Sequence, residues 1–276
     1  MQSRMAWPNL KSQRVALKEN YETLSWGLGM INTQALAPRT QEVFRLLATD
    51  SRLKSFTLVG GTALALQINH RQSEDLDFWL ADEQLNKSLL HDLVNSLRAG
   101  GHTVQLITPA ANITRAKING IDLLRYAQDY AIDGVKITFF ARIDGPYRFF
   151  NTFERLRDSA LSFSVMRQDG LFAMKSHLLS QRARSRDLFD LQTLMAEQGY
   201  RLEDVLEAGV QADAAFSKEY AKSVLVGDTP LDQEDEGFAS IGLKTSLQSI
   251  YEFFTEHVNR YEQALAKQLK QGSATK

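Results

Sequence analysis

The chain of 276 residues contains no cysteine, which excludes disulfides and thiolate metal sites and fits a reducing compartment. No segment approaches the roughly 20 apolar residues that a membrane-spanning helix needs. Met1-Gln2-Ser3-Arg4-Met5-Ala6-Trp7-Pro8 also lacks the apolar core of a signal peptide. A cytoplasmic protein without a membrane partner is therefore expected. Five histidines are dispersed without ligand spacing, so zinc is not expected. A large excess of one charge is missing too: the formal net charge is -1, which argues against a strongly basic surface for nucleic acid.

The balance is only global. Between Arg167 and Arg186 the basic residues Arg167, Lys175, Arg182, Arg184 and Arg186 stand against Asp169 alone, whereas Asp228, Asp232, Glu234, Asp235 and Glu236 crowd one short stretch. A basic cleft with an acidic flap is compatible with such a total. At 43% hydrophobic and 24% charged residues, the composition is that of an ordinary globular protein with enough chain for a sizeable core.

The most informative stretch begins at Phe56-Thr57-Leu58-Val59, a short buried strand by length and β-branching. Gly60-Gly61 ends it in a tight turn that opens a helix through Ala63-Leu66. Such a turn binds phosphate, because its first N–H groups have no intrahelical partner, the dipole adds positive charge, and glycine lets an oxygen approach the backbone. Gly60, Gly61 and the hydroxyl of Thr62 are the candidate phosphate donors. After His70-Arg71-Gln72-Ser73-Glu74 the apolar pattern resumes as a strand, Leu76-Asp77-Phe78-Trp79-Leu80. Alternation puts Asp75 and Asp77 on one face, roughly 7 Å apart along the strand. Paired carboxylates suit Mg²⁺, which takes one or two of them together with substrate phosphates.

Other elements follow from periodicity. A helix is expected around Val43, Phe44, Leu46 and Leu47 after Pro38, within a helical first 50 residues. Another, N-capped by Asp82, carries Leu85, Leu89, Leu93 and Leu97 and stops at Gly100-Gly101. Strands are expected at 103–107, 112–118, 121–127 and 135–140, with Asn119-Gly120 and Asp133-Gly134 as hairpin turns. Helices are expected near 168–181, 186–198, 201–208, 212–225 and 239–270, with an acidic loop from Gly227 to Gly237. The expected class is α+β: a mixed sheet flanked by helices and a C-terminal helical bundle, divided as a sheet domain at 1–150 and a helical domain at 151–276.

The run Gly60-Gly61-Thr62-Ala63-Leu64-Ala65-Leu66-Gln67, followed by His70-Arg71, Ser73 and Asp75-Leu76-Asp77-Phe78, resembles the signature of the AbiEii/AbiGii toxin group of nucleotidyltransferases, within the DNA polymerase β-like superfamily. A second block resembles that group's lysine helix and the Arg-Asp-Leu-x-Asp-Leu helix after it: Ala173-Met174-Lys175-Ser176-His177-Leu178, then Arg186-Asp187-Leu188-Phe189-Asp190-Leu191. The likeness spans about residues 40 to 200.

The resemblance implies a nucleotidyltransferase fold and a Mg²⁺-dependent transfer of a nucleoside monophosphate from a nucleoside triphosphate to an acceptor hydroxyl. It further implies an RNA acceptor, tRNA 3′ ends in particular, and a toxin with a cognate antitoxin. Asp75 and Asp77 would hold the metal, Gly60, Gly61 and Thr62 the triphosphate, Lys175 a phosphate oxygen, and Asp187 the acceptor or the nucleotide. Arg71 and Ser73 would touch phosphate or hold the loop before the carboxylates.

The third acid usual in the superfamily is missing from Val135-Lys136-Ile137-Thr138-Phe139-Phe140, where Thr138 takes its place. Either Asp187 supplies that carboxylate or the metal alone activates the attacking hydroxyl. Arg182, Arg184 and Arg186 read equally as an RNA-facing strip and as a charged turn. Phe139, Phe140, Tyr147, Phe149 and Phe150 read as core, with Tyr147 and Arg148 the first exceptions. His70 and His177 read as ordinary helix residues. Two alternatives stay open: transfer to a small molecule or protein, with loop 228–236 suited to a cationic acceptor such as an aminoglycoside, and a silent nucleotide- or nucleic-acid-binding module.

Overall fold

A computed structural model of the chain describes residues 31–238, 241, 243 and 245–273. The predicted helical content of the first 30 residues lies outside them. The site rests on a seven-stranded mixed sheet in the order β3-β4-β5-β2-β1-β7-β6, formed by β1 (Phe56–Val59), β2 (Leu76–Leu80), β3 (Val104–Leu106), β4 (Ala127–Ile132), β5 (Val135–Ala141), β6 (Arg155–Leu156) and β7 (Ser164–Met166). β1 runs antiparallel to β2 and parallel to β7, and β2 runs parallel to β5. β6 and β7 follow residue 150, so the strands of the sheet extend beyond the predicted domain boundary.

The two faces of the sheet differ in chemistry because side chains alternate. One face carries Phe56, Leu76, Phe78, Ile137 and Phe139, all buried. Their rings pack edge-on or stacked, Phe56 on Phe139 at 5.5 Å and Phe78 on Phe163 at 4.9 Å, and α1 (Pro38–Ala48) adds Phe44 against Phe163 at 5.7 Å. Each such ring withdrawn from water contributes about 1.5–3 kcal/mol. Asp77, Thr138 and Phe140 share the other face, and Asp77 is paired in register with Thr138.

Helix α2 (Gly60–Ile68) leaves β1 without a loop, and its residues Thr62 to Leu66 are all buried. Asn69 ends it in the left-handed conformation, its N–H bonded to the Ala65 carbonyl at 2.8 Å. α3 (Lys87–Ala99) packs on β3, and α4 (Ala110–Ile118) packs on the turn at Leu123–Arg125. The later chain forms α5 (Gly145–Phe150), α6 (Gln168–Leu178), α7 (Ser185–Gln198), α8 (Leu202–Ala212), α9 (Lys218–Val226) and α10 (Leu247–Ser273). α6 packs on α2, α7 and α8, and α10 packs on α7, α8 and α9.

Several expectations are corrected. Residues 112–118, predicted as a strand, lie in α4; none of its residues is buried, so no alternation in burial existed to read. Asn119-Gly120 is accordingly the stop of that helix rather than a hairpin turn. The strand predicted at 121–127 is displaced: Leu123–Arg125 form a 3-10 turn and β4 begins at Ala127. Asp133-Gly134 is the hairpin turn expected, both residues having positive φ, 48° and 83°. α3 is capped by Asn86, whose Oδ1 accepts from the Leu89 N–H at 3.1 Å, while Asp82 closes an earlier bend on Glu83. The final helix starts at Leu247, later than predicted.

Candidate active site

The phosphate-type turn and the acids meet. Val59 is paired with Asp77, and Gly60 turns away from β1 with φ +74°; a Cβ there would lie 2.6 Å from Asp77 Oδ2. The position therefore demands glycine twice, for its backbone and for the carboxylate against it. Gly61 is equally crowded, by the Arg71 guanidinium. No side chain caps α2, so its first N–H groups lack an intrahelical partner at the spot where Asp75 and Asp77 converge.

Asp75 precedes β2 and Asp77 lies within it, both partly buried on the same face. Burial and then the charge of Asp77 push the Asp75 carboxyl up to about 6. Burial also raises Asp77, opposed by Lys136, Lys175 and Arg182. Two carboxylates held this way favour a cation beside them, and a hard divalent ion completing its shell with phosphate oxygens fits the donor set. Among the described residues no third histidine, cysteine or carboxylate joins them as a metal-ligand group.

Thr62 does not present its hydroxyl to a ligand. It is 2% exposed; the hydroxyl donates to the Asp75 carbonyl and lies 2.6 Å from Ser73 Oγ. Ser73 is pinned again through its N–H to the Ala35 carbonyl at 3.0 Å. Arg71 and Ser73 both hold the loop and line the cleft: Arg71 Nε and Nη2 donate to Asp190 at 2.7 and 3.0 Å, and Nη1 donates to the Gln72 carbonyl at 3.1 Å.

Lys175 is 5% exposed, with Nζ at 2.5 Å from Asp187 Oδ1 and 2.7 Å from Asp190 Oδ2. Asp187 Oδ2 also accepts from Arg182 Nε at 2.7 Å. Burial alone would raise the carboxyls of Asp187 and Asp190, but Lys175 with Arg182, and Lys175 with Arg71 and His70, hold them below the usual range. Both oxygens of Asp187 are thus engaged by cations. Asp190 receives His70 as well, Nε2 at 2.7 Å, so His70 is a member of the buried charge network rather than an ordinary helix-end residue.

Sequence reasoning missed Asp129. It faces Thr138 across the β4–β5 hairpin, and the Thr138 hydroxyl donates to Asp129 Oδ1 at 2.8 Å. A carboxylate is therefore present one strand beyond the expected one, bonded to the Thr138 that is paired in register with Asp77. The signal was available: a two-residue turn at Asp133-Gly134 pairs 132 with 135 and hence 129 with 138.

Gly61, Asp75, Asp77, Lys175 and Asp187 border an open cleft of about 180 Å³, to which Lys136, Glu74, Arg182, Arg184, Arg186, Asp235 and Glu236 also contribute. The acidic loop lies on the arginines. Glu236 meets Arg186 at 2.7 Å, Glu234 meets Arg184 at 3.2 Å, and Asp235 Oδ1 accepts from the Ser185 N–H at 2.9 Å, capping α7. The loop's carboxylates thus already pair with cations and an N–H group of the chain itself.

The sequence pattern described as nucleotidyl transferase AbiEii toxin, type IV TA system, matches residues 43–270. The chain belongs to that family. An uncharacterized protein of Aquifex aeolicus (strain VF5), aq_aa25, is 25% identical over 155 residues, covering 54% of this chain and 62% of that relative. Among solved structures, JHP933 from Helicobacter pylori aligns at 18% identity over 88% of this chain and 98% of that one, with a TM-score of 0.45. MenT4, a nucleotidyltransferase toxin from Mycobacterium tuberculosis H37Rv, aligns at 14% identity over 78% and 82%, with a TM-score of 0.44. Within the AbiEii-family chain, no helix among the described residues is long and apolar enough to cross a membrane.

Proposed function

We propose that this AbiEii-family chain is a cytoplasmic toxin that transfers a nucleoside monophosphate from a nucleoside triphosphate to an RNA hydroxyl, the tRNA 3′ end in particular, and is held in check by a cognate antitoxin. One observation carries the reading: Gly61, in the first turn of α2 that no side chain caps, and the carboxylates of Asp75 and Asp77 line the same cleft. The sheet half, 1–150, would supply this catalytic face and the helical half, 151–276, the opposite wall.

Asp75 and Asp77 would hold Mg²⁺, which when bound neutralises phosphate charge and acts as a Lewis acid. The chain's own residues do the rest. The α2 N–H groups hold the polyphosphate, and Lys175, with two of its three protons on Asp187 and Asp190, keeps one for a phosphate oxygen. Asp187 positions Lys175 and Arg182, while Arg71, Thr62 and Ser73 fix the turn and the carboxylate loop. The acceptor oxygen bonds to the α-phosphorus as the bond to pyrophosphate breaks, and most of the stabilisation is positional and electrostatic. Asp129 fixes the hydroxyl of Thr138, the residue paired in register with Asp77.

Incubating the pure protein with each α-labelled triphosphate, Mg²⁺ and total RNA tests this reading. Label should move to RNA, and Asp77→Ala should abolish transfer while the circular dichroism spectrum and melting temperature stay near wild type. Transfer at an unchanged rate by the variant removes the assignment.

A further inference from the structure

A second cavity of about 240 Å³ adjoins the charged cleft at Asp77. It shares Gly61, Asp77, Lys175 and Arg182 with the cleft already described, so the two are neighbours. Its remaining lining is of another kind. Phe140, Tyr147, Phe150 and Met174 give it an apolar, ring-bearing wall, whereas the first cleft is bordered almost entirely by charge.

The wall is built as a box. Tyr147 packs edge-on against Trp79 at 5.4 Å, Phe140 at 5.9 Å and Phe150 at 5.4 Å, and the Arg142 guanidinium lies 4.8 Å from its ring centre. Those contacts hold Tyr147 in a fixed plane while leaving it partly open to the cavity.

His177 lines the same space. It is 7% exposed, its ring 5.8 Å from Phe150. Its Nδ1 is sealed from solvent with no hydrogen-bond partner, which leaves Nε2 as the ring nitrogen able to meet a ligand. Burial lowers the His177 pKa, so the imidazole is neutral at neutral pH and suited to a neutral hydrogen-bonding edge. Nothing in the chemistry of phosphate transfer uses this residue, and in the sequence it was an ordinary helix position.

We propose that this cavity is a nucleobase pocket in which Tyr147 and Phe140 contact the base and His177 Nε2 reads one of its polar edges, making His177 a specificity-determining residue. The argument rests on the nucleotidyltransferase reading above. A ligand with a polyanionic end in the charged cleft and a flat, mostly apolar end in the ring-lined cavity, joined beside Asp77, has the chemistry of a nucleotide. The base comes from the incoming triphosphate or from the terminal nucleotide of the acceptor.

Calorimetry on the full chain with Mg²⁺ separates these sources. The probes are the α,β-methylene analogues of the four triphosphates, inorganic tripolyphosphate, and a short oligoribonucleotide without triphosphate. In His177→Ala, Tyr147→Leu and Met174→Trp, which narrows the cavity, affinity for the preferred nucleotide should fall about tenfold. Discrimination among the four bases should flatten in His177→Ala, and tripolyphosphate affinity should hold. Weakened oligonucleotide binding with unchanged nucleotide binding would assign the pocket to the acceptor's base. Unchanged affinity for both probes in all three variants overturns the pocket, as does an equal loss for tripolyphosphate. Failure of the wild-type chain to bind nucleotide or tripolyphosphate would instead bring down the underlying reading.

Discussion

At Gly60 a methyl group would have to occupy space that Asp77 already fills, on a backbone whose φ of +74° other residues rarely adopt. Gly60→Ala should therefore cost about 1–3 kcal/mol of stability from the left-handed conformation. It should also displace the carboxylate and lower transfer far more than the stability loss explains. Gly145 provides the control, since a Cβ there meets nothing within 4 Å and its φ is ordinary; Gly145→Ala should be near neutral. Equilibrium urea unfolding and a transfer assay on both variants decide this, and equal effects would sink the argument. The convergence of turn and acids was legible in the sequence because it depends on two local rules, a glycine turn into a helix and alternation along a strand. The occupation of the Thr62 hydroxyl was not legible, because its partner, the Asp75 carbonyl, lies across a tertiary contact.

Asp190 shows what elements add to residues. It lies on α7, yet it receives His70 and Arg71 from the segment after α2 and Lys175 from α6, so one carboxylate fastens three parts of the site wall. Spacing along α7 revealed a shared face for Asp187 and Asp190, but their partners come from over a hundred residues upstream and from another helix. Asp190→Asn would leave three buried cationic or polar groups without their anion, at a cost of about 3–5 kcal/mol. Burial would raise this carboxyl, but Lys175, Arg71 and His70 draw it well below its ordinary value. A group depressed in the folded state contributes stability that is fully present above the unfolded value and lost as pH falls through the folded one. The wild-type advantage over Asp190→Asn should accordingly be constant from about pH 5 to 7 and shrink below about pH 4. Thermal melts across that range measure it, and a constant difference down to pH 3 would contradict the network. The misplaced strands at 112–118 and 121–127 failed for the opposite reason: α4 buries none of its residues, so the sequence there held no burial pattern to recover.

Over the whole molecule, a formal charge of -1 conceals a division of labour. Arg71 and Lys175 are neutralised internally by acids of α7, and Arg184 and Arg186 are covered by Glu234 and Glu236. Among the described residues the paired carboxylates favour a cation, and the N–H groups of α2, which no side chain caps, favour an anion. With no third histidine, cysteine or carboxylate grouped with the pair among the described residues, a divalent ion there would draw on phosphate and water for the rest of its shell. Phosphate in turn meets Asp75 and Asp77 as repulsive charges unless that ion is present. Each ligand thus supplies what the other lacks, and their binding should be strongly cooperative. Millimolar Mg²⁺ alone and the nonhydrolysable nucleotide alone should each shift the melting temperature little. Together, at about a hundred times the ternary dissociation constant, they should stabilise by about 2.7 kcal/mol. Asp75→Asn should remove most of that shift while leaving the unliganded protein folded. Differential scanning fluorimetry over a grid of both concentrations reads the coupling directly, and additive shifts would mean that the acids and the turn do not share one ligand.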